Sequence, residues 1–193
     1  MTWKPDYVTV DEVADYLRLG DTLDDVELAV WVTAASRAID KRTNRQFGQL
    51  AAPAARTYRR PASYDVTTGL WLLEIDDVQD VTGMLVGGVV YASAGAVLLP
   101  DNAPADGEPW TRLGFTTSPT LPLVVTARFG WQAVPTQVVA AVKLQCSRWN
   151  ARRDSPYGVA GSPAEGSELR LLARLDPDVA TTLAGLSRRR KVG

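Results

Sequence analysis

Apolar residues recur at helical spacing at both ends of this chain and lose that spacing in between. This change of period constrains the fold more than any other feature. Up to about residue 48, apolar positions repeat every three or four residues. From about residue 50 to 130, prolines, glycines and short β-prone runs take over. At Pro135 the helical repeat returns. The pattern predicts an α+β protein. Its core is expected to be a helical bundle: a short and a long N-terminal helix plus a third helix at 135–153. An antiparallel β subdomain is inserted between them, and an extended or helical C-terminal tail follows. The boundaries fall at 1–48, 49–130, 131–154 and 155–193.

Local signals support each element. Thr9-Val-Asp-Glu12 has the form of a capping box. Val10, Val13, Ala14 and Leu17 then share a face, and Gly20 is expected to end the helix. The long helix runs from Thr22 to about Arg45. Asp24, Asp25 and Glu27 crowd its start and Lys41, Arg42 and Arg45 its end, as the helix dipole favours. Leu28, Val32, Ala35 and Ile39 form its stripe. In the middle region, strands are predicted at Arg56–Arg60, Leu70–Ile75, Met84–Tyr91, Ala96–Leu99 and Leu123–Phe129. Gly87-Gly88 marks a two-residue hairpin turn. Asn102 to Pro109 reads as a loop. Val138, Val142, Cys146 and Trp149 give the third helix its apolar face. Residues 155–167 read as a flexible linker. Asp176-Pro177 starts a last short helix faced by Val179, Ala180, Leu183 and Leu186.

Much chemistry is excluded by composition. The chain has no histidine and one cysteine, so Ser-His and Cys-His pairs and zinc clusters of Cys and His have no ligands to use. No GxxxxGK[ST] or GxGxxG motif occurs. Asp24-Asp25 and Asp76-Asp77 are the candidate carboxylate pairs. Adjacent side chains diverge, so neither pair is expected to converge on a substrate. Asp76-Asp77 is expected at a turn after a strand. No cofactor is expected. The start MTWKPDYVTVDE lacks the basic-then-apolar form of a signal peptide, and no run is long enough for a membrane span. A soluble chain made in the cytoplasm, with no membrane partner, is expected.

Charge is near balance, at −1 over 193 residues, but it is blocked. Residues 1–40 hold nine acids and three bases; 41–60 hold six bases and no acid. Residues 61–110 hold eight acids and no base; 111–160 hold six bases and one acid. Such blocks are either solvated surface charge or complementary faces that steer copies or partners together. Arg148, Arg152 and Arg153 end the third helix before Ser155-Pro156. They fit a phosphate patch, a dipole-stabilised helix end, or an acidic protein surface.

Three segments in order carry a resemblance. They are YVTVDEVADYLRL…DDVELAVWVTAASRAIDKRTNRQF at 7–47, FGWQAVPTQVVAAVKLQCSRWNARRDSPYGVAG at 129–161, and LRLLARLDPDVATTLAGLSRRR at 169–190. Together they resemble the head-to-tail connector (adaptor) proteins of long-tailed bacteriophages and the similar adaptors of gene transfer agents. Residues 50–125 are the variable part, longer here than in minimal adaptors. The resemblance implies a structural virion protein rather than an enzyme. Such adaptors form a ring, usually twelvefold, below the portal, and join it to stopper or tail-completion proteins. DNA passes through the channel without specific binding. The location implied is the virion neck, after assembly in the host cytoplasm.

The resemblance makes the C-terminal segment the expected portal anchor. Candidate subunit or portal contacts are Arg148, Arg152, Arg153 and Tyr157 at the helix end. Leu169, Leu172, Leu175, Asp176, Leu183 and Leu186 follow in the tail, then Arg188, Arg189, Arg190 and Lys191. Two other readings compete. One is a different neck part, a stopper or tail-completion subunit, although such parts are mostly β. The other is a helix-turn-helix regulator, whose recognition helix at Asp24–Arg45 would present three acids to phosphate, a poor fit.

Overall fold

The computed structural model describes residues 4–19, 25–153, 159–160, 169–170 and 177–188. The chain is α+β and divides into two compact units, one of residues 46–133 and one of residues 2–45 with 134–193.

In the second unit, α1 (Val10–Leu17) opens on the expected capping box. The Thr9 amide donates to Glu12 Oε2 at 2.8 Å, and the Glu12 amide donates to Thr9 Oγ1 at 3.2 Å. Its end departs from expectation. Arg18 takes the left-handed conformation (φ 55), and the amides of Arg18 and Leu19 reach back to Asp15 and Ala14. Gly20 lies outside the described residues.

α2 (Asp25–Thr43) buries Leu28, Val32, Ala35 and Ile39, the predicted stripe. It stops where Asn44 turns left-handed (φ 52). An N-terminal arm, not anticipated from the sequence, lies along α2. Tyr7 and Val8 are buried. The Tyr7 amide donates to Ser36 Oγ at 3.2 Å, its hydroxyl donates to Asp40, and Arg37 donates to the Pro5 carbonyl. Burial holds the Asp40 carboxyl above its ordinary 3.8, against the opposing pull of the Tyr7 hydroxyl and Arg37.

α3 (Thr136–Arg153) starts on the Pro135 carbonyl, which accepts from the Val138 and Val139 amides. Val138, Ala141, Val142 and Cys146 are buried, and so is Gln145; Trp149 is only half-buried. α1, α2 and α3 pack on one another, and α4 (Pro177–Thr182) packs on α3. Val179 and Leu183 are fully buried. A 3-10 turn at Ala184–Leu186 follows.

The other unit holds two four-stranded antiparallel sheets. Its strands are β1 (Ala54–Tyr58), β2 (Ser63–Asp65), β3 (Leu70–Val78), β4 (Leu85–Val86), β5 (Val89–Val90), β6 (Ala96–Leu99), β7 (Trp110–Phe115) and β8 (Leu123–Ala127). One sheet has the order β1-β8-β4-β5, the other β2-β3-β7-β6. Inward residues of both, including Leu73, Ile75, Met84, Val86, Leu113, Val125 and Phe129, form one core. Gly87-Gly88 makes the predicted hairpin turn, both with positive φ. β2 and β7 are additional to the predicted strands. β3 runs three residues further than expected, so Asp76 and Asp77 lie within a strand rather than at a turn. β9 (Val159–Ala160), in the stretch expected to be a linker, pairs antiparallel with β10 (Leu169–Arg170), which lies just beyond that stretch.

Candidate assembly surface

The basic end of α3 occupies a definite place. At the end of α3, Arg153 is tied to the start of α2. Its guanidinium lies 3.0 Å from Glu27 Oε2 and 5.6 Å from the centre of the Trp31 ring. Both partners are partly exposed, so this pair contributes about 0–1 kcal/mol and mainly orients the helix end. Arg148 and Arg152 are half-buried on the same helix.

The C-terminal candidates divide. Leu183 is fully buried and serves the chain's own core in this conformation, whereas Leu186 is half-buried. Leu169 sits in β10, opposite Ala160. Tyr157, Leu172, Leu175, Asp176, Arg189, Arg190 and Lys191 lie outside the described residues.

Arg188 brings two distant parts of the sequence together. Its amide donates to the Thr43 carbonyl at 2.7 Å, and its carbonyl accepts from Asn44 Nδ2 at 3.1 Å. The first arginine of the tail therefore joins Lys41, Arg42 and Arg45 at the end of α2. Lys41 and Arg42 are exposed. In the sequence these bases have two readings, a complement to the helix dipole and part of a charged face. The block of six bases and no acid over 41–60 was the available signal.

The Asp76-Asp77 pair does not converge. Asp76 faces one side of β3, where Arg56 lies 2.8 Å away and the Tyr58 hydroxyl donates at 3.1 Å. Asp77 turns inward and accepts from the Trp131 indole N–H at 3.1 Å. Opposite strand faces keep the two carboxylates off any common substrate. Among the described residues, no group of three or more His, Cys, Asp or Glu is placed to hold a metal ion. Cys146 is buried, which pushes its thiol up to about 11. Among the same residues, no helix is long and apolar enough to cross a membrane.

This fold has a solved counterpart. A chain from the neck of an empty gene transfer agent (GTA) particle, computed with C6 symmetry, is similar over 100% of this chain and 96% of that one. The TM-score is 0.58 and the identity 24%, which establishes a shared fold. No family model and no curated protein matches the chain.

Proposed function

We propose that this chain is a structural neck protein without catalytic activity, an adaptor whose copies close into a ring between the portal and the stopper or tail-completion proteins. The observation that carries the reading is the likeness, end to end, to a chain of a particle neck. Twelve copies, the number the family resemblance implies, are compatible with the sixfold symmetry used for that neck. The ring would sit at the head-tail interface of a virion and let DNA through without reading its sequence.

Two further features support it. A ring needs a heterologous contact, hence two different surfaces on each copy, and the blocked charge supplies surfaces of opposite sign. The tail is rich in leucine between 169 and 186 and ends in a basic run, a composition suited to docking on an acidic, partly apolar partner. Leu169–Lys191 is the proposed portal anchor, with Arg148, Arg152, Arg153 and Tyr157 as further subunit or portal contacts.

Deleting 169–193 tests the anchor by loss of co-sedimentation with purified portal. Because Val179 and Leu183 are core residues, a second truncation after Arg188 keeps them in place and separates docking from folding. Undiminished portal binding by both truncations would sink the anchor assignment.

A further inference from the structure

We propose that the basic end of α2, completed by Arg188, mates with the acidic loop at 101–108 of a second copy; this deepens the ring reading and rests on it.

The basic side is assembled by the fold. Lys41 and Arg42 project from the last turn of α2, Arg45 follows the helix end, and the Arg188 backbone is bonded at both polar atoms to Thr43 and Asn44. Lys41 and Arg42 are exposed and make no ion pair among the described residues.

The acidic side belongs to the other unit, so one copy carries both surfaces on different parts. Asp101, Asp106 and Glu108 are exposed and likewise unpaired among the described residues. Their loop is built rather than loose. Ala103 is buried beneath it, the Glu108 amide donates to the Ala103 carbonyl at 2.7 Å, and the Ala105 and Asp106 amides converge on the Asn102 carbonyl. Gln79 Nε2 fastens the Gly107 carbonyl at 2.7 Å. A loop held this way presents its carboxylates with little ordering left to do on contact.

Charge balance selects the occupant. The exposed Lys41 and Arg42 would also attract a polyanion, yet the chain as a whole carries −1 and offers nucleic acid no long-range pull. The complement to the patch is displayed on the same chain. Opposite charges on different units make a head-to-tail contact, the kind that closes into a ring.

The test is a charge swap between copies, read by sedimentation velocity and electron microscopy on the full chain, alone and with portal. Lys41→Glu/Arg42→Glu sets acid against acid, and Asp106→Lys/Glu108→Lys sets base against base. Each variant alone is expected to lose self-association by about tenfold or more while keeping the wild-type circular dichroism. An equimolar mixture restores assembly, because every contact in an alternating ring again joins opposite signs. Wild-type association by either variant, or a mixture that stays dissociated, overturns the proposal and leaves the adaptor reading standing. Charge reversal at 41 and 42 that abolishes binding to a short DNA duplex without touching association does the same, and assigns the patch to phosphate. A wild-type chain that stays monomeric both alone and with portal overturns the pairing and the adaptor reading together.

Discussion

The backbone N–H of Arg188 donates to the carbonyl of Thr43 at 2.7 Å. Thr43 is the last residue of α2, and a helix leaves its final carbonyls without partners of their own. The tail supplies the missing donor, and Asn44 returns a bond to the Arg188 carbonyl. Residues 177–188 are thus part of the helical unit. Leu183, fully buried one turn earlier, anchors it. Leu183→Ala is expected to destabilise this unit by about 3 kcal/mol, measured by urea denaturation followed at the helical circular dichroism band. Leu186→Ala, at a half-buried position, should cost less than half as much.

Gly130 holds a strap in the β unit. Its amide donates to the Asp77 carbonyl at 2.7 Å, and the Trp131 amide donates to the Gly48 carbonyl at 3.1 Å. Its φ is +113, and a Cβ there would lie 1.9 Å from the Gly48 carbonyl oxygen. Gly130→Ala must therefore break the strap as well as adopt a strained backbone. The expected loss is about 3 kcal/mol or more, read from the denaturation midpoint. Gly185→Ala, where a Cβ meets nothing within 4 Å and φ is ordinary, is the control and should be near neutral.

Two turn aspartates give the β unit an acid sensitivity. Hydrogen bonds from the Thr67 amide and then the Thr68 hydroxyl hold Asp65 below the ordinary 3.8, and bonds from Thr82 do the same for Asp80. A carboxyl depressed in the folded state contributes stability that is fully present above its unfolded value of 3.8. That stability is lost as pH falls through the folded value. The stability of the wild type should therefore drop more steeply on acidification than that of Asp65→Asn/Asp80→Asn. Parallel denaturation series at neutral and acid pH check this.

Cys146 is expected to be inert in the native protein. Burial raises its thiol to about 11, so little thiolate exists at neutral pH and reagent has no access. A thiol-reactive chromogenic disulfide should label it only in denaturant. Rapid labelling of the native chain would contradict the packing of α3.

The helices were legible because their cues are local. The Thr9–Glu12 box, the Leu28 to Ile39 stripe and Pro135 each act within a turn or two of themselves, and all three appear where expected. The Gly87-Gly88 turn was legible for the same reason. β7 was not. Trp110-Thr-Arg-Leu-Gly-Phe115 carries a charge and a glycine, yet it lies between β3 and β6. Gly114 makes room there for a distant side chain: a Cβ would meet Leu70 Cδ1 at 2.9 Å, so Leu70, 44 residues away in sequence, would have to shift. The N-terminal arm was missed likewise, because Tyr7 becomes a core residue only through Ser36 and Asp40. The candidate surface shows the same division. The arginines were visible as clusters, but the union of Arg188 with the end of α2 depends on a bond across 145 residues.

Electron microscopy of the purified protein, alone and mixed with portal, tests the central claim most directly. The adaptor reading predicts closed rings, or a ring of added density capping the portal on its outer side. Particles that remain monomeric beside bare portals would contradict it.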